Sequence, residues 1–430
     1  MAFLENATRY RRLTIEGSWI IIGQIVTVLG ALVLVRVLTE KLTPSQYGQL
    51  ALGLTIAGLV NQVGMGGVGN GISRFYSIAA EKHDLRGYLK ASRRLMLYAT
   101  LAVLLIGLNL LGVLQITGHS QWLALAGTIL VLSVFNGYNS ILSGIQNAAR
   151  QRIIVAFHGG LDAWLKILLV LVVLSLLGNS STLVVVSYVL SSVIVTISQF
   201  FFLRRLIYPR LTVQEEKRNW FLEIWSYSWP FSTWGIFTWM QQSSDRWVLG
   251  MFTSTQEVGL YAVVFQLGYT PLSMLTGLAT SFLGPILYQR SGDATDHIRN
   301  ADVRRLVLRL TLCSLLLTLI GFLCALGLHV SIFRYLVAIE YRHVSYLLPW
   351  MVLAGGIFAT GQILALKMMS DLKSKDLLWA KIGSAVLGIL FNLWGGYIAG
   401  VQGIIVALIS FSVIYFIWVF LLSMRFLRTP

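Results

Sequence analysis

Long apolar runs separated by short polar joints fill the chain from residue 15 to residue 424. A helix needs about 20 apolar residues to cross the roughly 30 Å hydrocarbon layer of a bilayer. The pattern lacks the two-residue alternation of membrane β-barrel strands. We therefore predict an all-α polytopic membrane protein with twelve transmembrane helices. The twelve runs are residues 15–38, 46–72, 91–116, 121–145, 153–177, 182–203, 225–250, 257–287, 306–330, 346–368, 378–399 and 401–424.

Composition agrees with a membrane protein. The 430 residues are 56% apolar and only 12% charged, with a mean hydropathy of +0.75. A soluble globular protein is about 45–50% apolar and roughly 25% charged. So few charged side chains cannot cover a soluble protein of this size, which excludes a cytosolic enzyme. The two cysteines, Cys313 and Cys324, would lie about 16 Å apart on one helix, so no disulfide is expected.

The distribution of charge predicts the topology. Formal net charge is +16, with 33 Lys and Arg residues. When the N-terminus is placed in the cytoplasm, 27 of these 33 fall on cytoplasmic segments and inner helix ends, and four fall on outer helix ends and loops. The remaining two, Lys166 and Arg246, lie deeper within spans. This positive-inside asymmetry predicts that both termini are cytoplasmic. Attraction to the anionic inner leaflet accounts for the basic balance, and no nucleic-acid partner is expected.

Landmark residues recur in the two halves of the chain at a nearly constant spacing. Arg36 recurs as Arg246 after 210 residues, and Gly48 recurs as Gly259 after 211 residues. Further pairs are Ser18-Trp19 with Ser228-Trp229, and 93–95 with 304–306. We therefore predict two six-helix pseudo-symmetric bundles, with a central cavity of the kind that alternating-access transporters place between parallel repeats.

The predicted boundaries follow from these repeats. Residues 1–203 form the N-terminal bundle, residues 204–224 a cytoplasmic linker, and residues 225–430 the C-terminal bundle. Mixed charges and three aromatic residues in the linker region predict a helix lying along the inner membrane interface: Trp220, Phe221 and Trp225.

Charged residues inside spans are candidates for function because burial in a bilayer is costly. His158, Asp162 and Lys166 are spaced four residues apart, so they share one stripe of the fifth span. The stripe is expected to line a wet cavity, because Lys166 lies too deep in the span to reach the membrane surface. The alternative, a buried Asp162–Lys166 ion pair that serves packing, stays open.

The seventh span contains a second polar group of residues. Trp234, Gln241 and Asp245 share one face, and Arg246 follows in the outer third of the span. Arg36 occupies the equivalent place in the first span. Both arginines either line a cavity or extend to the outer interface.

Uncharged polar residues and glycines also lie within the predicted spans. Amides such as Gln62, Asn136 and Asn139 are expected to form interhelical hydrogen bonds, and as a set they suit a wet, sugar-compatible cavity. Gly64, Gly66 and Gly69 match G-x-G-x-x-G, but the strand–turn–helix setting of a dinucleotide site is missing. These glycines indicate close helix packing or local unwinding. The histidines form no metal-binding pattern, so no metal or other cofactor is expected.

Two segments resemble those of a known family. Arg36-Val37-Leu38 followed by residues 42–51 (LTPSQYGQLA), and the Gly-rich end of the second span followed by residues 72–76 (ISRFY), are similar to bacterial O-antigen and exopolysaccharide flippases. These belong to the multidrug/oligosaccharidyl-lipid/polysaccharide exporter superfamily. The resemblance implies a protein of the bacterial inner membrane, without catalytic residues, that moves an undecaprenyl-diphosphate-linked oligosaccharide to the outer leaflet through a cationic cavity.

The expected contacts follow from that cargo. Phosphates favour Arg and Lys, and sugars favour amides, hydroxyls and aromatic faces. The candidate residues for diphosphate and sugar are Lys166, Arg246, Arg36, Arg74, Gln62, Trp234 and Gln241. The candidates for ion coupling are Asp162, Asp245 and His158, with H⁺ or Na⁺ as the ion. Other expected partners are membrane lipid and a polysaccharide polymerase complex, and the expected state is a monomer.

Three alternatives remain open at this point. A drug or cation antiporter of the same fold would favour an acidic cavity, whereas basic residues outnumber acids in and near these spans. A membrane glycosyltransferase, ligase or polymerase acting on lipid-linked sugar would need a larger outer loop than residues 331–345. A scaffold for a glycan-export complex is the third.

Overall fold

The computed structural model describes residues 2–207, 218–277, 287, 297–370 and 374–425. Within these residues the chain is almost entirely helical and contains no strand, and the predicted all-α class is confirmed. The helices are α1 (Ala2–Lys41), α2 (Pro44–Val60), α3 (Gly67–Glu81), α4 (Leu85–Ile116), α5 (Leu123–Ala148), α6 (Arg152–Leu177), α7 (Ser181–Ile207), α8 (Trp220–Phe252), α9 (Thr255–Gly268), α10 (His297–Leu336), α11 (Leu348–Ser370) and α12 (Ser374–Arg425).

The described helices match the twelve predicted spans. Nine of them are long and apolar enough to cross a membrane, or ten when α9 is joined to its continuation Thr270–Gly277. The seventh predicted span is α8, which is 33 residues long and is not among these nine. The last two predicted spans both lie in α12, which is interrupted at Ala399 and Gly400. Residues 278–286, at the end of the eighth predicted span, lie outside the described residues.

Two helices change direction at points that the backbone chemistry explains. Gly400 has φ 54° and ψ −129°, a conformation that glycine adopts without steric strain, and it separates the two halves of α12. A bend of 41° lies between Gly268 and Thr270, next to Pro271, which has no N–H to continue the helix. Pro349 is the second residue of α11, where a proline is tolerated. Pro285 lies outside the described residues.

A π-helix, Asn61–Gly66, joins α2 to α3 within the second predicted span. Single π-helical turns inside α-helices are frequently found at functional sites. Local unwinding was one of the two predictions for this Gly-rich segment.

The chain forms two compact units. The first contains Met1–Leu34 and Leu50–Trp239, and the second contains Val35–Gln49 and Met240–Pro430. The α1–α2 turn is therefore part of the second unit, and the first five turns of α8 are part of the first. The bundle boundaries predicted from the repeat stay a prediction.

The core of the first unit includes the beginning of α8. Trp220 is 2% exposed and belongs to the same apolar cluster as Ile72 and Tyr88. Its indole N–H donates to Asp84 Oδ2 at 2.6 Å, while Asp84 Oδ1 accepts from Gly87 N and caps α4. Trp220 and Phe221 pack against this core in the first turn of α8, whereas Trp225 is exposed. The predicted position of this region along the inner membrane interface stays a prediction. Residues 208–217 lie outside the described residues.

The second unit holds the α1–α2 turn through polar and aromatic contacts. The hydroxyl of Tyr341 donates to the Leu42 carbonyl at 2.8 Å, and its ring packs edge-on against Tyr47 at 6.0 Å. Arg36 donates to the Val337 carbonyl at 2.8 Å. A second cluster packs α10, α11 and α12 together around Val307, Met368, Phe411 and other apolar residues.

Candidate functional site

A polar pocket lies within the first unit. Its volume is about 530 Å³, within the range of about 300–1,000 Å³ that is usual for small-molecule sites. The π-helix, α3, α5 and α8 form its walls. The lining residues are Gln62, Gly66, Gly69, Asn70, Ser73, Ser140, Ser143, Gly144, Asn147, Phe231, Gly235 and Thr238. None of these twelve residues is charged, and seven carry an amide or a hydroxyl.

Glycines bring the walls of this polar pocket close together. A Cβ at Gly69 would lie 3.1 Å from Ile141 of α5, and one at Gly235 would lie 2.5 Å from the Gln62 carbonyl oxygen. A Cβ at Gly144 would overlap the hydroxyl of Ser73. The G-x-G-x-x-G pattern therefore serves helix packing and the π-helix, as the sequence predicted, and forms no nucleotide loop.

Four polar side chains of the pocket have unused hydrogen-bonding capacity. Within the described part of the chain, Asn70, Ser73, Ser140 and Ser143 form no side-chain hydrogen bond. Serines in helices commonly bond back to a carbonyl one turn earlier, as Ser133 of the same helix does to Ile129 at 2.7 Å. The pocket serines do not, so their hydroxyls can serve a ligand or water.

Amides on the other side of α5 are engaged, and they connect α5 to α7. Ser192 donates to Asn136 Oδ1 at 2.7 Å, and Thr196 donates to Asn139 Oδ1 at 2.7 Å. Gln146 bonds the Gln199 carbonyl at 3.4 Å. The predicted interhelical role of these amides is confirmed. The polar residues of α5 are thus of two kinds, a structural set facing α7 and an available set facing the pocket.

Asp162 and Lys166 form an ion pair at 2.6 Å, with side chains 29% and 20% exposed. Ser191 of α7 donates to the other carboxylate oxygen at 3.0 Å, and the ammonium lies 5.5 Å from the centre of the Tyr188 ring. His158 is 1% exposed and contacts Ser198 at 3.0 Å. These three candidates all lie on α6, contact residues of α7 and do not line the polar pocket.

The candidates of α8 form a separate group in the second unit. Asp245 is 3% exposed and accepts a 2.5 Å hydrogen bond from the Tyr261 hydroxyl. Arg246 lies 3.8 Å from that carboxylate and 4.5 Å from the centre of the Phe265 ring. Gln241 is half-buried one turn earlier. The structure thus provides a buried acid with an aromatic hydroxyl and a nearby cation.

The remaining candidates are dispersed. Arg36 pairs with Glu40 and the Val337 carbonyl, so it holds the α1–α2 turn in place. Arg74 is exposed on α3, one turn beyond Asn70 of the pocket. Gln62 lines the pocket. The side chain of Trp234 lies outside the described residues.

Sequence reasoning therefore found Gln62 but missed the pocket residues around it. Ser140, Ser143 and Asn147 share one face of α5, at spacings of three and four residues. That spacing was the available signal, but small polar residues on a helix more often serve packing.

This chain resembles a family of known proteins in sequence and several solved transporters in structure. A family profile described as "Polysaccharide biosynthesis protein" matches residues 14–291, which is more than half of the chain. No protein with a curated description matches. The inward-facing conformation of a multidrug resistance MATE family transporter of the MOP superfamily is 14% identical, with a TM-score of 0.69 over 95% of this chain and 96% of the other.

A second solved structure extends the similarity of fold. A MOP superfamily transporter from Pyrococcus furiosus, described as having a binding pocket of reverse polarity, is 14% identical, with a TM-score of 0.60 over 96% of this chain and 97% of the other. At such low identity these structures establish a shared fold. This chain thus has a multi-pass, all-helical membrane fold that it shares with these MOP superfamily transporters, and the predicted fold class is confirmed.

Proposed function

Because this chain belongs to the polysaccharide biosynthesis protein family, we propose that it is a flippase for a lipid-linked oligosaccharide. The cargo is a polysaccharide repeat unit, such as an O-antigen or exopolysaccharide unit, attached to undecaprenyl diphosphate. It moves from the cytoplasmic to the outer leaflet of the bacterial inner membrane by alternating access. The protein acts as a monomer with cytoplasmic termini, alone or beside a polysaccharide polymerase complex.

The polar pocket is the observation that carries this proposal. Seven of its twelve lining residues carry an amide or a hydroxyl, and four of these side chains form no hydrogen bond within the described residues. Sugars are recognised by such groups, because each ring offers several hydroxyls that donate and accept hydrogen bonds. No acid lines the pocket, which disfavours a drug or cation antiporter.

The diphosphate requires cations near the sugar site. Arg74 of α3 is exposed and follows Ser73 of the pocket directly in the chain. Lys166, Arg246 and Arg36 are further candidates along the path of the phosphates, although each already contacts an acid. Arginine forms paired hydrogen bonds with phosphate oxygens, so Arg74 is our first choice.

Coupling to an ion would drive the transport in one direction. Asp245 is the best-placed residue for H⁺ or Na⁺, because it is the most buried of the three candidate acids and bases after His158 and its nearest cation, Arg246, lies 3.8 Å away rather than in direct contact. Its carboxylate accepts from the Tyr261 hydroxyl and from the Arg246 backbone N–H. Asp162 is already paired with Lys166 and Ser191, and His158 with Ser198. Both remain secondary candidates.

Complementation of a flippase-null strain, scored by surface glycan, tests the proposal in cells. Purified protein in vesicles loaded with fluorescent polyprenyl-diphosphate oligosaccharide tests it directly, by quenching of the label in the opposite leaflet. We expect quenching to depend on the protein. Efflux of an organic cation without lipid movement would favour the antiporter, and new glycosidic bonds would favour the glycosyltransferase or polymerase.

A further inference from the structure

We infer that the polar pocket binds an uncharged saccharide ring of the cargo, and that Arg152 is a positioning residue that orients Asn147 toward this ring. This inference rests on the proposed flippase function and adds a class of sugar and a residue to it. The pocket lies in the first unit only, so the site is complete in residues 50–239.

The available hydroxyls indicate the chemistry of the ligand. Ser140 and Ser143 project from the last turns of α5, and Ser73 faces them from α3. A hydroxyl both donates and accepts, so three of them within one cavity match a ligand that also carries alternating donors and acceptors. A saccharide ring has this property. An apolar drug would leave the hydroxyls unpaired, which is costly once water is excluded.

Arg152 determines what Asn147 can offer. Its guanidinium donates to Asn147 Oδ1 at 2.5 Å, so the amide oxygen is occupied. The amide NH₂ is then the part of Asn147 that can serve the pocket, as a donor to a sugar oxygen. Without the guanidinium, the amide is free to rotate and present either end. Arg152 thus acts through Asn147, and its effect should fall on recognition of the sugar.

The absence of charge in the lining selects between sugars. All twelve lining residues are neutral, so a uronic acid carboxylate placed there would lose water without gaining a cation. A neutral hexose or N-acetylhexosamine loses only hydrogen bonds that the amides and hydroxyls replace. The pocket therefore favours a neutral ring, and the anionic part of the cargo remains outside it.

Binding to protein in nanodiscs tests the inference with three lipid probes of one polyprenyl length. They are the bare diphosphate, the same lipid with a neutral disaccharide, and the same lipid with a disaccharide containing a uronic acid. For the wild type we expect the neutral glycolipid to bind about tenfold more tightly than the bare lipid, the scale of one or two hydrogen bonds. We call this increase in affinity over the bare lipid the gain, and the acidic glycolipid should show less than half of it.

Four variants and a control assign the residues. Ser140→Ala with Ser143→Ala should remove the gain for the neutral glycolipid and leave the affinity for the bare lipid unchanged. Asn70→Ala, at an exposed position, should have the same effect in part. Ser133→Ala, on the same helix but bonded to Ile129, should retain the gain. Arg152→Ala should lose about half of the gain, and Arg152→Lys should restore it by donating to Asn147.

The outcomes separate the inference from the function it rests on. If wild-type protein neither binds nor moves any of the three lipids, the flippase proposal fails. If it moves them, yet the double serine variant keeps the gain or the acidic glycolipid binds as tightly as the neutral one, the saccharide pocket is wrong and the flippase stands. A drop in bare-lipid affinity for Arg152→Ala would make Arg152 a phosphate ligand and overturn its positioning role.

Discussion

Gly48 and Gly259 lie against each other at the beginnings of α2 and α9. A Cβ on Gly48 would overlap the Thr255 carbonyl oxygen and lie 3.0 Å from Gly259 N. A Cβ on Gly259 would overlap the Pro44 carbonyl oxygen and lie 2.9 Å from Gly48 N. The two glycines are equivalent positions of the sequence repeat, so the two copies of this motif meet in one contact.

Substitution of either glycine should therefore be severe. Gly48→Ala and Gly259→Ala each place a methyl group on the backbone of the facing helix, which cannot move as a flexible side chain can. We expect a loss of stability of about 1–3 kcal/mol or more, together with loss of transport. Thermal unfolding in detergent, monitored by loss of the monomer peak in size-exclusion chromatography, measures the first effect.

Two other glycines provide a matched control. Gly112 and Gly127 are in helices α4 and α5 and have nothing within 4 Å of a built Cβ. Alanine at either should leave stability unchanged or raise it by up to about 1 kcal/mol, through helix propensity. Equal effects of all four substitutions would show that the Gly48–Gly259 contact is not required.

Asp84 and Trp220 should behave as an energetically coupled pair. Trp220→Phe keeps the aromatic packing with Phe75 and Tyr88 but removes the 2.6 Å hydrogen bond to Asp84. We expect it to cost about 1.5–3 kcal/mol, the range for a hydrogen bond to a charged group. Asp84→Ala should cost more, because it also removes the cap of α4. A double-mutant cycle with additive effects would contradict the coupling.

Variants of the Asp162–Lys166 pair can distinguish a role in stability from a role in transport. Lys166→Met leaves Asp162 without its cation, and we expect a loss of about 1–3 kcal/mol, less than for a fully buried pair because both side chains are partly exposed. Adding Asp162→Asn should restore stability, since no uncompensated charge remains. If Lys166 also contacts the diphosphate, transport stays low in the double variant. Full recovery of transport would remove Lys166 from the site.

Neighbouring residues of α5 should have opposite phenotypes. Asn139→Leu removes the acceptor of Thr196 and the 3.2 Å bond to the Ser192 carbonyl, so stability should fall by about 0.6–1.7 kcal/mol. Ser140→Ala, one position later, should leave stability unchanged and reduce transport of the neutral glycolipid. Unfolding curves and vesicle transport on the same preparations test both. The reverse assignment would contradict the division of α5 into two faces.

The helices were predictable because the need to cross a bilayer is local. About 20 apolar residues suffice to indicate a span, whatever the rest of the chain does. The Asp162–Lys166 pair was predictable for the same reason, since residues four apart on a helix are neighbours. The α5–α7 amides were predicted to bond between helices, although their partners Ser192 and Thr196 were not identified.

The pocket was beyond prediction because it depends on which faces of separate helices meet. Gly69 and Gly144 look alike in the sequence, yet one packs on Ile141 and the other on Ser73. Tyr261, the partner of Asp245, lies on another helix, and nothing in the local pattern indicates it. The burial of Trp220 was not predicted, for a related reason. Aromatic residues among charges are typical of an interface, and only the packing of α8 shows that Asp84 accepts from its indole.

The exchange of segments between the two compact units constrains how the chain is made. The first unit extends to Trp239, so its last residues are synthesised after the whole first repeat. The second unit includes the α1–α2 turn, which is synthesised near the beginning of the chain. Neither unit can therefore complete its fold until more than half of the polypeptide has left the translocon. A gene cut between residues 207 and 218 should therefore give two fragments that are degraded when expressed singly and accumulate when expressed together.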